Sequence, residues 1–433
     1  MPGAYARLAE MLDAIVGRNA FWTDRLAREG FDAQCLAREP IDSPATLRRL
    51  PLTSKADLVA DAAAHPPYGS NLTYPLAEYV RFHQTSGTTG QPQPWLDTAA
   101  SWDWFCDCWR EIFLLVGVDP SDVVALPFSF GPFIGFWAAH DGAVRYGCLS
   151  LTLGGLSTEQ RLREIVRHNA TVVCCTPTYG LRMAEVAAEI GIDLADSSIA
   201  QLIVAGEPGG NIPAVRESLE TAFGARVHDH WGMSDVGSLG IETARDPGTL
   251  QLLDGDISTQ LLDGDLSPQC IAEVIDPQTG QPTADGSLGE LVITNLGRWG
   301  MPVIRYRTGD LVRPIGRDAK TGRLRLEGGV CGRADDMLVI RGNNVFPSSV
   351  EAIVREQPTV AEFRLIVQTR KAMPHLRLEI EPAASATADQ TDAAVAAIET
   401  ACIDRLHFRA EVAAVLPGTL PRYELKARRV VRE

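Results

Sequence analysis

Apolar runs and helical patterns alternate through the middle of this 433-residue chain. Runs rich in Val, Ile, Leu and Cys predict buried strands at residues 122–127, 149–153, 171–176 and 201–205. Amphipathic spacing between the later strands predicts helices at residues 157–168 and 179–190. Strands that are separated by helices of this length are joined by right-handed crossovers into a parallel sheet. The pattern therefore favours an α/β fold.

The segments on either side of this alternation have a different character. Residues 1–49 carry helical periodicity, and residues 99–116 predict a long, aromatic-rich helix. From residue 269 to residue 312 the strand character rises, which predicts a small antiparallel β subdomain. A chain of this length exceeds one compact core, so we expect at least two units.

A string of hydroxyl-bearing residues and glycine, Thr-Ser-Gly-Thr-Thr-Gly, occupies residues 85–90 after an apolar strand end at residues 79–82. Gly87 and Gly90 let the backbone approach a ligand closely, and successive free N–H groups form an anion-binding concavity. The Gly-Lys-Ser/Thr of the P-loop is absent at the required spacing. A Ser/Thr/Gly surface turn is the alternative. We interpret the string as a strand followed by a phosphate-binding loop.

Aromatic residues interleaved with glycines follow the strand at residues 122–127. Phe130, Phe136 and Trp137 are the members of this group that we assign to a pocket for a flat apolar ligand. Plain core packing of these rings is the alternative interpretation. The sequence itself does not decide between the two.

Charge and composition argue against several other classes of protein. The net charge of −15 disfavours non-specific nucleic-acid binding. No apolar run is long enough to span a membrane, and the N-terminus lacks the basic-then-apolar pattern of a signal peptide. The nine cysteines form no CxxC pair, which is typical of free thiols in a reducing cytosol. We therefore expect a cytoplasmic protein with neither a nucleic-acid nor a membrane partner.

His228 and His230 fall on one face of a strand, because alternate strand residues point the same way. Two histidines could begin a metal site. A third and a fourth ligand are not evident nearby, so the sequence favours core histidines over a zinc site.

Several motifs resemble, in the same order along the chain, those of the adenylate-forming enzymes: acyl-CoA synthetases, luciferases and peptide-synthetase adenylation domains. They are residues 85–90, 204–208, 228–235, 306–311 and 332–337. Residues 339–351, with Asn-Val-Phe-Pro-Ser, and residues 420–427 are similar to the phenylacetate–CoA ligase branch. Ser348 or Ser349 is expected to cap the helix that begins near Val350.

The resemblance implies a large N-terminal α/β domain of parallel and mixed sheets flanked by helices, including the small antiparallel subdomain. It also implies a small, mobile α+β C-terminal domain. The domains would span residues 1–334 and 336–433, with Asp335 as the hinge. In such enzymes a carboxylic acid and ATP give acyl-AMP and pyrophosphate, and CoA then displaces AMP.

The resemblance also implies a role for each matching residue. The catalytic residues would be Lys426, Thr85 and Ser234, and Asp235 would bind Mg²⁺. ATP or AMP would be bound by Ser86, Gly87, Thr88, Thr89, Gly90, Gly206, Glu207, Pro208, Asp229, His230, Trp231, Gly232, Met233, Asp310 and Arg333. The pocket for the acid would include Phe130, Phe136, Trp137, Gly206, His230 and Gly232.

Among the departures from the pattern of the family, three suggest an alternative function. Gln91 stands where Lys is usual, Asp235 replaces Glu, and Leu425 replaces the Gly that usually precedes the catalytic lysine. A degenerate nucleotide-binding protein is therefore one alternative. Another is a stand-alone adenylation enzyme that loads a carrier-protein phosphopantetheine. The partners expected are ATP, CoA and a phenylacetate-, benzoate- or anthranilate-like acid, and a homodimer remains open.

Overall fold

The computed structural model describes residues 3–85, 92–132, 134–135, 137–255, 267–340, 343–370, 373–423 and 427–432. Its helices are α1 (Ala4–Ile15), α2 (Ala20–Arg28), α3 (Ala33–Arg38), α4 (Pro44–Leu47), α5 (Lys55–Ala64), α6 (Ala99–Val116), α7 (Trp137–Tyr146), α8 (Thr158–Arg167), α9 (Pro177–Glu189), α10 (Pro213–Phe223), α11 (Pro347–Arg355) and α12 (Ala388–Leu406). Its strands up to the end of the central sheet are β1 (Tyr79–Gln84), β2 (Pro94–Thr98), β3 (Val123–Leu126), β4 (Leu149–Thr152), β5 (Val172–Cys175), β6 (Gln201–Ala205), β7 (Arg226–Met233), β8 (Gly237–Glu242), β9 (Thr249–Leu252), β10 (Cys270–Ile275), β11 (Gly289–Asn295), β12 (Tyr306–Arg317) and β13 (Leu324–Arg333). The remaining strands are β14 (Leu338–Ile340), β15 (Asn343–Val345), β16 (Val360–Arg370), β17 (Met373–Pro382), β18 (Glu411–Ala414) and β19 (Val430–Arg432).

One large sheet runs through the described part of the chain, in the order β10-β11-β12-β13-β9-β8-β7-β6-β5-β3-β4. The strands β4, β3, β5, β6 and β7 are parallel, and the ladders from β7 to β10 are antiparallel. The α/β class is therefore confirmed. The predicted antiparallel part is present as well, and it continues the parallel sheet through β8.

Alternate residues of the parallel strands enter two separate cores, because successive strand residues point to opposite faces. Leu202 and Val204 pack beneath helices α8, α9 and α10, whereas Ile203 packs on the other side with α6 and α7. Burial on both faces explains why these strands are continuous apolar runs in the sequence.

Residues 338–432 form a smaller unit with its own core. Its sheet has the order β18-β17-β16-β19, and α11 and α12 contribute to the same apolar cluster. The mixture of helices with a separate sheet agrees with the α+β character that the resemblance implies for this part. Ala352 of α11 also packs against the core beneath α10, so this unit lies on the large one.

The starts of helices α5 and α11 are held in different ways. Ser54 caps α5 in a reciprocal box with Asp57, in which each side chain accepts from the other residue's backbone N–H. The expected cap of α11 is wrong, because the N-cap position is Phe346 and carries no side-chain cap. The Ser348 hydroxyl instead donates to the carbonyl of Cys331 at 2.8 Å, which ties α11 to β13. Within the described residues, no helix combines the length and the apolar character that a bilayer span requires.

Candidate active site

The predicted phosphate loop connects the two strands of a hairpin. Strands β1 and β2 pair antiparallel, and Thr85 lies at the point where the loop begins. The Thr85 backbone N–H donates to the Gln93 carbonyl, and its Oγ1 accepts from the Gln93 N–H, both at 3.0 Å. Thr85 therefore closes the base of the loop. Ser86, Gly87, Thr88, Thr89, Gly90 and Gln91 lie outside the described residues.

The motif of Gly206, Glu207 and Pro208 comes directly after β6, at the carboxyl end of the parallel strands. Ligands bind at this end in open α/β sheets. Gly206 has a φ of 93°, a conformation that favours glycine, and Gly206 and Pro208 are both exposed. Their backbone is therefore accessible to a nucleotide.

Three predicted nucleotide residues meet in one hydrogen-bonded chain. The Trp231 indole Nε1–H donates to Oδ2 of Asp310 at 2.8 Å. Arg333 donates from Nη1 to Oδ1 of the same carboxylate at 3.1 Å and from Nε to Asp335 at 2.9 Å. Asp310 and Arg333 also face each other in the ladder of β12 and β13. The aromatic ring, the carboxylate and the guanidinium therefore stand together, and the chain of contacts ends at the predicted hinge residue.

Asp229 lies on β7 and faces the glycine turn that follows β6. A Cβ atom at Gly210 would collide with its Oδ1, and one at Gly329 would lie 3.2 Å from its Oδ2. Burial, followed by the nearby charge of Glu242, raises the pKa of Asp229 to about 7, although Arg216 opposes the rise. Glycine at both neighbouring positions leaves room beside this carboxyl group.

Asp235, the predicted Mg²⁺ residue, is buried. Burial raises its pKa, while the charges of Lys55 and Arg298 and a hydrogen bond with Tyr306 act in the opposite direction. Within the described residues, its Oδ1 has no hydrogen-bond partner although it is buried. A hard cation such as Mg²⁺ is commonly held by one carboxylate together with substrate phosphates. The unpartnered oxygen fits that ion, and Asp235 would be its protein ligand.

A buried arginine that the sequence analysis did not single out fixes the turn at Ser234 and Asp235. Arg298 donates from Nη1 to the Ser234 carbonyl at 2.6 Å. Its Nε and Nη2 bind the two oxygens of Asp97 at 2.7 and 2.8 Å, and both side chains are fully buried. Although burial opposes the charged form, Arg298 and then His83 hold the pKa of Asp97 below its ordinary value. A bidentate pair of this kind gives the turn a fixed orientation.

Two of the predicted pocket aromatics contact each other. The rings of Phe130 and Trp137 have centroids 4.5 Å apart in an edge-to-face arrangement, and both rings are half-buried. The Trp137 Nε1–H donates to the Gly131 carbonyl at 2.9 Å, which fixes the indole over the preceding turn. Phe136 lies outside the described residues. The half-exposed pair is available to a flat ligand.

His230, which the resemblance also assigns to the acid pocket, lies beside Trp109. Its ring lies 4.7 Å from that of Trp109, and its Nδ1 lies 2.7 Å from the carbonyl of Gly240. Burial lowers the pKa of both His228 and His230 to about 4, so both rings are neutral near pH 7. The Nδ1–H of His230 therefore donates to Gly240, and its Nε2 is left as an acceptor. His228 binds the Glu242 carbonyl and the side chain of Gln201.

Glu207 has partners that the sequence did not indicate. Its Oε1 accepts from the Thr178 N–H at 2.9 Å, and its Oε2 accepts from the Ala427 N–H at 2.7 Å. Its carboxylate therefore contacts the C-terminal unit at Ala427, the residue that directly follows Lys426. Lys426 itself lies outside the described residues.

Comparisons with known proteins identify the family of this chain. A model of the AMP-binding enzyme family matches residues 79–298, and one of the AMP-binding enzyme C-terminal domain matches residues 342–433. The chain belongs to the AMP-binding enzyme family. Like the other members of its phenylacetate–CoA ligase-like branch, this AMP-binding enzyme is an AMP-forming acid–thiol ligase.

Two curated relatives illustrate the branch. The phenylacetate–coenzyme A ligase of Aromatoleum evansii is 31% identical over 82% of this chain and 76% of the relative. The ligase of the same name from Escherichia coli K12 is 29% identical over 95% of this chain and 91% of the relative. The likeness thus extends over most of both chains.

Solved structures add information on the arrangement of the two units. A 2-hydroxyisobutyryl-CoA ligase in its post-adenylation state, with the acyl-AMP bound, is 26% identical and superposes with a TM-score of 0.89 over 99% of this chain and 89% of its own. The same ligase in its thioesterification state, with acyl-AMP and CoA, has a TM-score of 0.70 at the same coverage. This AMP-binding enzyme is therefore more similar to the post-adenylation arrangement.

Proposed function

We propose that this enzyme is an ATP-dependent aryl carboxylate–CoA ligase that works in two steps. The observation that carries the proposal is the meeting of Trp231, Asp310 and Arg333, three residues from three separate motifs. Trp231 follows His230, the residue of β7 that pairs with Ala205 at the end of β6. An aromatic face, an acceptor for a diol and a fixed cation suit adenine, ribose and phosphate respectively.

In the first step the acid carboxylate attacks the α-phosphate of ATP, and pyrophosphate leaves. Negative charge grows on the phosphate oxygens, so the enzyme needs positioned donors and cations and no protein nucleophile. Residues 85–90, Ser234 and Lys426 are the groups that we assign to this role. Arg298 supports Ser234 by holding its carbonyl, as the hydrogen bond between them shows.

Mg²⁺, when bound at Asp235, supplies positive charge beside the phosphates. The protein's own contribution there is the buried carboxylate and its orientation. Tyr306 binds Asp235, and Arg298 binds the turn that carries it. These contacts fix the orientation of the Asp235 carboxylate.

In the second step the thiol of CoA displaces AMP from the acyl-AMP. We propose that residues 336–433 rotate about Asp335 between the steps, withdraw Lys426 and open a path for CoA. The C-terminal unit has its own core, which supports movement as one body.

The Phe130–Trp137 pair supports an aromatic acid, because edge-to-face and stacked rings favour a further ring. The names of the phenylacetate–CoA ligase relatives point to the same class of substrate. Phenylacetate-, benzoate- and anthranilate-like acids are the members of the class that we propose to test.

ATP–pyrophosphate exchange over a panel of aryl and short hydroxy acids tests the first step, with the acid as the only variable. Exchange that depends on an aryl acid supports the proposal, and exchange with only aliphatic acids refutes the aryl assignment. A second assay supplies CoA or a phosphopantetheinylated carrier protein and identifies the thioester product. Product on the carrier protein alone would make the enzyme a carrier-loading adenylation enzyme instead.

A further inference from the structure

Glu207 connects two parts of the molecule through backbone N–H groups. Its Oε1 accepts from Thr178 at the start of α9, and its Oε2 accepts from Ala427 in the C-terminal unit. Hydrogen bonds to a carboxylate are short and about twice as strong as neutral ones. Because Ala427 directly follows Lys426, this carboxylate fixes the backbone beside the proposed catalytic lysine.

A second contact reinforces the same junction. Arg429 donates from Nη2 to Oγ1 of Thr178 at 3.2 Å, and the arginine side chain is only 7% exposed. Its other donors bind Glu362 at 2.8 Å and Glu351 at 3.1 Å, both within the C-terminal unit. Thr178 and Glu207 of the large unit therefore bind Ala427 and Arg429 of the C-terminal unit.

Most of the charged side chains at this junction belong to the C-terminal unit, and Glu207 belongs to the large unit. Arg355 and Arg429 lie among Glu351 and Glu362, so these four charges of the C-terminal unit balance one another. Glu207 is a further carboxylate that acts on the same arginines from the large unit. Breaking a buried ion pair is costly, so the four charges would move together. The hydrogen bond of Glu207 to Ala427 is one that a rotation would break.

We propose that the arrangement of this structure is the one in which the adenylate forms, and that Glu207 is a positioning residue. Its carboxylate holds the segment after Lys426 in that arrangement and releases it before thiol attack. This inference rests on the two-step ligase function proposed above. It assigns the Glu207 carboxylate to control of the domain arrangement, and leaves only the backbone of residues 206–208 for the nucleotide.

The test is Glu207→Gln, assayed separately in the two half-reactions. Glutamine keeps the shape and one acceptor oxygen, but its NH₂ group cannot accept from a backbone N–H. We expect kcat for adenylate formation to fall about tenfold, the loss of one charge-assisted hydrogen bond, with the KM for ATP unchanged. The rate from supplied acyl-AMP and CoA should stay at the wild-type value.

Glu189→Gln is the matched control, because Glu189 is an exposed carboxylate at the far end of α9, the helix whose start Glu207 binds at Thr178. It should leave both half-reactions unchanged. Amide hydrogen exchange gives a direct reading of the contact: the peptide that contains Ala427 should exchange faster in Glu207→Gln than in the wild type or in Glu189→Gln.

Three results would overturn the inference. Equal losses in the two half-reactions would make Glu207 a residue of general structural importance. A raised KM for ATP with unchanged kcat would show that the Glu207 carboxylate binds the nucleotide. Unchanged hydrogen exchange at Ala427 would show that the hydrogen bond from Ala427 to Glu207 does not form in solution. A wild-type enzyme that activates no acid would instead refute the proposed function, which the wild-type assay reveals before any variant is compared.

Discussion

The Trp231 indole nitrogen lies 2.8 Å from Oδ2 of Asp310, a residue 79 positions further along the chain. This bond joins the end of β7 to β12 and orients the carboxylate. Asp310 and Trp231 are both nearly inaccessible to solvent, so the bond is made in a region of reduced dielectric. The residue that we assign to the ribose is thus held by the residue that we assign to the adenine.

Asp310→Ala should weaken the binding of ATP and of acyl-AMP together. Loss of hydrogen bonds to a charged acceptor costs about 2 kcal/mol, or about thirty-fold in Kd. Calorimetric titration with ATP and with a non-hydrolysable acyl-AMP analogue measures both. Asp310→Asn, which keeps one acceptor oxygen, should lose less. Wild-type affinity in a folded Asp310→Ala protein would contradict the ribose assignment.

Phe130→Leu should change the preference among acids more than it changes the use of ATP. Leucine removes the ring that faces Trp137 while it preserves much of the apolar volume. We expect the ratio of kcat/KM for two aryl acids to shift about tenfold or more, with the KM for ATP unchanged. Phe223→Leu is the control, because that ring is buried in α10 in the other core. Unaltered selectivity together with a higher KM for ATP would show that Phe130 lies near the nucleotide instead.

Asp235→Asn should raise the Mg²⁺ concentration that adenylate formation requires. The amide has no negative charge, and its remaining oxygen is a weaker ligand for a hard cation. We expect half-saturation to need about tenfold more Mg²⁺ or higher. Asp276→Asn, at an exposed turn, should leave the requirement unchanged. An unaltered Mg²⁺ titration would place the metal at other ligands.

The parallel part of the fold is predictable from the sequence because its signals are local. Leu202, Ile203 and Val204 form an apolar run that is buried on both faces, and the helices beside it carry their own periodicity. The continuity of the antiparallel strands with this sheet is not a local property. Leu250 of β9 pairs with Leu326 of β13, and no short window of sequence contains both residues.

The candidate site divides in the same way. Trp231, Asp310 and Arg333 stand in recognisable motifs, and the structure joins them in one chain of hydrogen bonds. Arg298 stands in no such motif, and its partner Asp97 is 201 residues away, so the pair emerges only from the three-dimensional structure. An arginine within an otherwise apolar stretch was the one sequence signal that could have indicated it.

Asp229→Asn should stabilise the ligand-free enzyme more at pH 8 than at pH 5. The folded-state pKa of Asp229 is raised to about 7, mainly by burial and then by Glu242. The folded state therefore retains a proton that the unfolded state loses. As a result, the free energy of unfolding of the wild type declines as the pH rises from about 4 to about 7. Asparagine does not titrate, so the stability of the variant does not include that decline.

Urea unfolding at the two pH values measures the difference between the variant and the wild type. Asp196→Asn, at an exposed position, should show the same difference at both. A stability difference for Asp229→Asn that does not grow with pH would mean that Asp229 is ionised in the folded enzyme across this range.

Gly332→Ala should slow adenylate formation through the contact between β13 and the C-terminal unit. A Cβ atom at position 332 would lie 2.5 Å from Cδ1 and 2.9 Å from Cγ of Phe346, so the ring would have to move. Overpacking of this kind costs about 1–3 kcal/mol. Phe346 lies beyond the proposed hinge at Asp335, so the collision belongs to the present arrangement of the two units. The rate from supplied acyl-AMP and CoA should therefore change less than the rate of ATP–pyrophosphate exchange.

The double variant with Phe346→Ala decides whether the collision is the cause. If the added methyl group acts only by displacing the ring, Gly332→Ala should have little further effect once the ring is absent. The two single losses would then fail to add, as is expected for residues in direct contact. Both half-reactions are measured on the four proteins, and urea unfolding checks that each one is folded. Additive losses, or equal losses in the two half-reactions, would show that Gly332 matters for the strand itself and not for the arrangement of the two units.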